Sequence, residues 1–119
     1  MQDFKKLLVW QKTVGLIKIT YQKTVIFPPE ERYVLTSQIK RAVVSISNNI
    51  AEGCGRFTKK DFLHFLQMAL GSTNEVENCI IICRELEYLS AESFDDLNGR
   101  NTEIRKMLIA LIEKIRGDE

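Results

Sequence analysis

Only two prolines interrupt this chain of 119 residues, and they sit together at Pro28-Pro29. The next strong punctuation is Gly53-Cys54-Gly55, and the one after it is Leu89-Ser90. Between these marks apolar residues recur three and four apart, the spacing that gathers side chains on one face of an α-helix. Leu7, Trp10, Val14, Ile17 and Tyr21 make such a row, and so do Leu35, Ile39, Ala42, Ile46 and Ile50. The third row is Phe62, Phe65, Ala69, Ser72, Val76, Cys79, Cys83 and Leu86. The fourth is Leu97, Asn101, Ile104, Leu108, Leu111 and Ile115. No stretch alternates polar and apolar with period two, so no sheet is expected. Thr58 with Asp61 three residues on reads as the N-cap of the third helix, and Ser90 as that of the fourth, which stops near Gly117. The third helix spans about 30 residues on this reading, or about 45 Å, and the first two somewhat over 20 each. Short connections make successive helices antiparallel. The expected fold is an all-α, antiparallel up-down-up-down four-helix bundle, one domain over residues 1–119.

Composition narrows the class further. Hydrophobic residues are 45% and charged residues 28%, with a formal net charge of +1. A chain so apolar and so nearly neutral folds rather than staying disordered. No run approaches the ~20 apolar residues of a membrane span, so no membrane is expected as a partner. The first residues have no uninterrupted apolar stretch and no small-residue cleavage site, so a secretory signal is not expected. Three cysteines, Cys54, Cys79 and Cys83, cannot all pair within one chain. They read as small buried hydrophobes in a reducing cytoplasm.

Around the first helix, at 100° per residue, a second apolar cluster stands about a third of a turn from the first. It comprises Phe4, Leu8, Ile19 and Ile26, with Gly15 among them. Either the helix is buried over a wide arc, or this cluster is a subunit interface in a homo-oligomer; the second is the expectation. Charge is uneven as well. Residues 1–29 hold five lysines against one aspartate, a local net of +4, whereas the last two quarters are acidic. Lys5, Lys12 and Lys23 fall on one line, opposite the apolar row, and Lys18 joins them as a candidate nucleic-acid contact elsewhere on the same helix. Lysines commonly do no more than solvate an outer face. A ring of subunits would multiply such a line into a surface able to follow phosphates.

Residues that carry chemistry are sparse. His64, the one histidine, stands about 22 Å along a helix from Cys79, too far to share a zinc ion. No metal, cofactor or catalytic residue is expected. Gly53-Cys54-Gly55-Arg56 lacks the length and the lysine of a phosphate loop, and its glycines read as a left-handed helix end. Beside the apolar row of the second helix runs a polar line, Gln38, Ser45, Asn49 and Glu52. Ser72, Asn74 and Glu75 offer the third helix something similar, and Arg56 follows the turn between them. These groups, with Arg56 paired to Glu52 or to Glu75, read as a hydrogen-bonded network that fixes the register of two helices, or else as a ligand-binding cluster.

Three segments carry a family resemblance. Phe27-Pro28-Pro29 through Ile39, Ala42 through Arg56 (with Ser45-Ile46, Asn49-Ile50-Ala51-Glu52-Gly53 and Gly55-Arg56), and Phe62 through Glu75 (ending Gly71-Ser72-Thr73-Asn74-Glu75) resemble the signatures of the four-helix-bundle proteins encoded in intervening sequences of bacterial 23S rRNA genes. The accessory proteins of diversity-generating retroelements are more distantly similar. The resemblance implies a bundle that assembles into a homopentamer and has no known catalysis. In the retroelement relatives it implies a basic ring that binds reverse transcriptase and nucleic acid. The expectation is a non-enzymatic scaffold whose partners are further copies of itself and RNA or an RNA-handling protein. A self-assembling protein-binding module without nucleic acid is the alternative.

Overall fold

A computed structural model describes residues 2–117; Met1, Asp118 and Glu119, which the single-domain reading includes, lie outside the described residues. Four helices follow in order: α1 (Leu8–Thr24), α2 (Leu35–Cys54), α3 (Lys59–Glu85) and α4 (Ala91–Gly117). No strand occurs among the described residues. Each helix packs on its neighbours in sequence and α4 returns to α1, while among the described residues the diagonal pairs, α1 with α3 and α2 with α4, have no close backbone approach. With short reversals between them, this is the square arrangement of an up-down four-helix bundle. The body measures 47 × 23 × 20 Å.

Local chemistry explains the ends. Thr58 accepts a hydrogen bond from the Asp61 amide at 3.1 Å, and Ser90 Oγ accepts one from the Ser93 amide at 3.0 Å. Both expected caps are formed. α1 is shorter than expected because Phe4–Lys6 form a separate 3-10 turn, capped by Asp3, and Leu7 is extended. α3 ends in a Schellman turn, in which the amides of Tyr88 and Glu87 bond the carbonyls of Cys83 and Arg84. Its left-handed residue is Glu87, at φ 65°, where glycine is usual. Tyr88 then packs on Phe27 of the α1–α2 connection, ring centroids 5.5 Å apart.

The turn after α2 differs from the sequence reading. Gly55 has φ −86°, and no glycine among the described residues is left-handed. Gly53 is small for another reason. A Cβ there would stand 3.0 Å from both Phe62 Cδ1 and Phe65 Cβ, so its bareness lets α2 and α3 close on each other.

The interior is built from the expected faces of α2, α3 and α4. Ile39, Ile46 and Ile50 are fully buried, as are Leu66, Val76, Leu97, Ile104 and Leu108. Leu86, past the end of α3, is exposed instead. In α1 the expected row is displaced. The buried residues are Val9, Thr13, Leu16, Thr20 and Thr24, about a third of a turn from the row centred on Val14. Trp10, Val14 and Ile17 are half-buried and Tyr21 is exposed. Threonine is the cause. Each buried hydroxyl donates to a carbonyl of its own helix: Thr13 to Val9 and Thr20 to Leu16, both at 2.7 Å, and Thr24 to Tyr21 at 3.3 Å. A threonine satisfied in this way fills the core much as valine does, although it reads as polar.

All three cysteines are buried and unpaired. Burial raises each thiol above its ordinary range, that of Cys83 to about 11.

Candidate functional site

The polar line on α2 and α3 divides into a seam and a surface pair. At the seam, Asn49 Nδ2 donates to the Ser45 carbonyl at 2.9 Å and to Ser45 Oγ at 3.2 Å. The hydroxyls of Ser45 and Ser72 lie 2.9 Å apart, and Ser72 Oγ donates to the Met68 carbonyl at 3.2 Å. With the Ser72 proton committed, Ser45 donates to Ser72, and a single relay crosses from α2 to α3. At the surface, Arg56 Nη2 stands 2.7 Å from Glu52 Oε2, with its guanidinium 4.5 Å from the Phe65 ring centroid. Gln38 is exposed and takes no part in the relay. Glu75 is exposed too, one helix away from Arg56 rather than paired with it. Asn49, Glu52, Arg56 and Glu75 therefore do not converge on one site. A second polar pin joins α3 to α4. The fully buried Asn101 donates through Nδ2 to the Thr73 carbonyl at 3.0 Å, while its Oδ1 has no partner.

The lysine line is broken by the displacement of α1. Lys5 belongs to the 3-10 turn and lies 3.9 Å from Asp3. Lys12 flanks the buried face instead of opposing it, and its Nζ pairs with Glu103 Oε1 of α4 at 3.0 Å. Lys23 is half-buried, and Lys18 alone of the four is an exposed helix residue without an ion pair among the described residues. The second apolar cluster is broken likewise. Phe4 lies in the 3-10 turn, edge-on to Trp10 at 5.1 Å. Ile19 is half-buried against the core, Leu8 is exposed, and Ile26 lies beyond the end of α1. Large apolar side chains are exposed instead in the connections: Val25 is 80%, Ile26 79%, Tyr33 82% and Val34 55% exposed between α1 and α2, and Phe57 is 88% exposed between α2 and α3.

One feature escaped the sequence reading. A groove of about 520 Å³ crosses the outer face of α2, with Tyr21 at one side and Glu75 at the other. Between them lie Lys40, Arg41, Ser45 and Asn48, with Lys40 Nζ 4.6 Å from the Tyr21 ring centroid. Arg41 and Asn48 are seven residues apart, two helical turns, so their placement was legible. That of Tyr21 was hidden by the misplaced row. His64 is exposed beside Phe65, and no group of three or more metal-ligating side chains occurs among the described residues. No described helix is long and apolar enough to cross a membrane.

The fold and the α2–α3 seam define a helical-bundle protein braced by buried hydroxyl and amide bonds. Compared with known families, the chain matches the 23S rRNA-intervening sequence proteins over residues 5–110, and it belongs to that family. Among solved structures it is similar to a protein of unknown function from the S23 ribosomal protein family of Bacteroides thetaiotaomicron. The two share 29% identity over 88% of this chain and 98% of the other, with a TM-score of 0.80. No curated protein matches.

Proposed function

We propose that this chain is a non-enzymatic, self-assembling scaffold, a homopentamer in the cytoplasm, that engages RNA or an RNA-handling protein. The observation that carries it is the apolar surface at the α1–α2 connection, where Val25, Ile26 and Tyr33 stand almost fully in solvent. A soluble monomer seldom leaves several large apolar side chains of one connection uncovered, and a further copy of the chain is the simplest cover. The net +4 of residues 1–29 and the family's tie to 23S rRNA intervening sequences support RNA as the cargo. Light scattering tests the assembly. A mass about five times 13.8 kDa is expected, and Ile26→Asp should break it down; a monomeric wild type removes the scaffold. Titration with a structured RNA at about 50 and 200 mM salt tests the cargo, and no binding at the lower salt removes it.

The pairing of Lys12 with Glu103 favours a second reading, a protein-binding module that ignores nucleic acid. Capture of one protein partner that survives nuclease treatment would select it.

A further inference from the structure

We infer that the groove across α2 is a binding site for a single-stranded nucleic-acid segment, with Tyr21 as the stacking platform and Lys40, Arg41 and Asn48 as the polar contacts. The inference rests on the RNA reading above but moves the contact away from the lysine line of α1. Three observations carry it. Tyr21 is 44% exposed, a large aromatic that the bundle does not use for packing. The Lys40 ammonium already stands over its ring, 4.6 Å from the centroid, so a π-face and a cation are offered side by side. Neither Lys40 nor Arg41 has a carboxylate within ion-pair distance among the described residues, unlike Lys12, Arg56, Arg100 and Arg105.

This combination suits a phosphate-linked base. Stacking on an aromatic ring tolerates any base, and cations beside it hold the flanking phosphates. Lys40 can leave the ring for a phosphate as a base takes its place. Arg41 presents a planar fork to a second phosphate. Asn48 is exposed and carries both a donor and an acceptor, the pair needed to meet a base edge. A volume of about 520 Å³ accommodates a nucleotide. The site excludes duplex, whose bases are not free to stack on a side chain. Glu75 at the far wall opposes an anionic strand and sets the polarity of the groove.

The test is fluorescence anisotropy with a labelled twelve-nucleotide oligouridylate, its duplex with oligoadenylate, uridine monophosphate as competitor, and an acidic peptide. Variants are first checked for wild-type helicity and thermal midpoint; all three substituted positions, Tyr21, Arg41 and Glu75, are at the surface. Tyr21→Ala should weaken oligouridylate binding about tenfold or more, and Tyr21→Phe should restore it. Arg41→Ala should lower the slope of log affinity on log salt by about one. Glu75→Gln should tighten binding a few-fold. Uridine monophosphate should compete in the wild-type chain more strongly than inorganic phosphate at equal ionic strength and lose that advantage in Tyr21→Ala; competition no stronger than that of phosphate overturns the groove as a nucleotide site. Preference for the duplex or for the acidic peptide overturns the proposal. Oligouridylate binding that is unchanged in Tyr21→Ala and Arg41→Ala overturns the groove and leaves the RNA reading standing. No RNA binding by the wild-type chain overturns both.

Discussion

α1 and α2 are adjacent staves of one bundle, yet they meet the core in different ways. The inner face of α2 is continuous hydrocarbon, with Ile39, Val43, Ile46 and Ile50 fully buried. That of α1 alternates, with threonines at 13, 20 and 24 around Leu16. The polar atoms differ in reach as well. The α2 relay crosses to α3 through Ser45 and Ser72, and α3 is joined to α4 through Thr73 and Asn101. The α1 hydroxyls bond only to their own helix. Three helices are thus cross-pinned, while α1 is held by side-chain packing and a surface ion pair. Apolar periodicity locates a helix whose core face is hydrocarbon, and it misplaces one whose core face is half threonine.

Exchanging chemistries between the two faces tests this most strongly. Ile46→Thr should cost about 2 kcal/mol or more in urea unfolding, through lost apolar burial and a hydroxyl placed in a close-packed site. Thr20→Val should change stability by less than about 1 kcal/mol, since the shape is kept and the hydroxyl bonds a carbonyl already used by the helix. Equal costs would show that the threonines of α1 do more than fill space.

A pH-dependent effect is expected at α3. The Cys83 thiol is raised in the fold from 9.0 to about 11, first by burial and then by Cys79 and Glu31. The folded form keeps its proton where the unfolded form loses it, so this contribution is complete below pH 9 and falls away as pH rises to 11. The urea midpoint should drop over that range, and Cys83→Val should flatten the drop.

Gly53→Ala sharpens the contrast at the closest approach of α2 and α3. Alanine favours the helix by about 1 kcal/mol, but its methyl meets Phe62 and Phe65 at 3.0 Å, an overpacking that costs about 1 to 3 kcal/mol. A net loss of about 1 kcal/mol is expected in thermal unfolding. Lys12→Ala should be the mildest, below about 0.5 kcal/mol and vanishing at high salt, because both partners are half in water.

Most of the architecture was legible. The breakers placed every reversal, and Thr58 and Ser90 marked their helix starts because each cap needs only one hydroxyl at one position. The site was less legible. The lysine line and the second apolar cluster were drawn on one ideal helix running from Phe4 to Ile26. The extended Leu7 and the end of α1 at Thr24 cut that helix at both ends. Ser45, Asn49 and Ser72 came together as expected, since their spacing puts them on facing flanks. Of the two carboxylates expected as partners of Arg56, Glu52 and Glu75, it is Glu52, four residues earlier in the chain, that pairs with it.

Glu87 adopts a left-handed conformation that costs a residue with a side chain about 1 kcal/mol. What holds it there is the pair of Schellman bonds and the seating of Tyr88 on Phe27 of the α1–α2 connection. The two chain reversals at that end of the molecule are therefore tied through one ring contact, so that Phe27→Ala should loosen the turn between α3 and α4 as well as the connection it sits in.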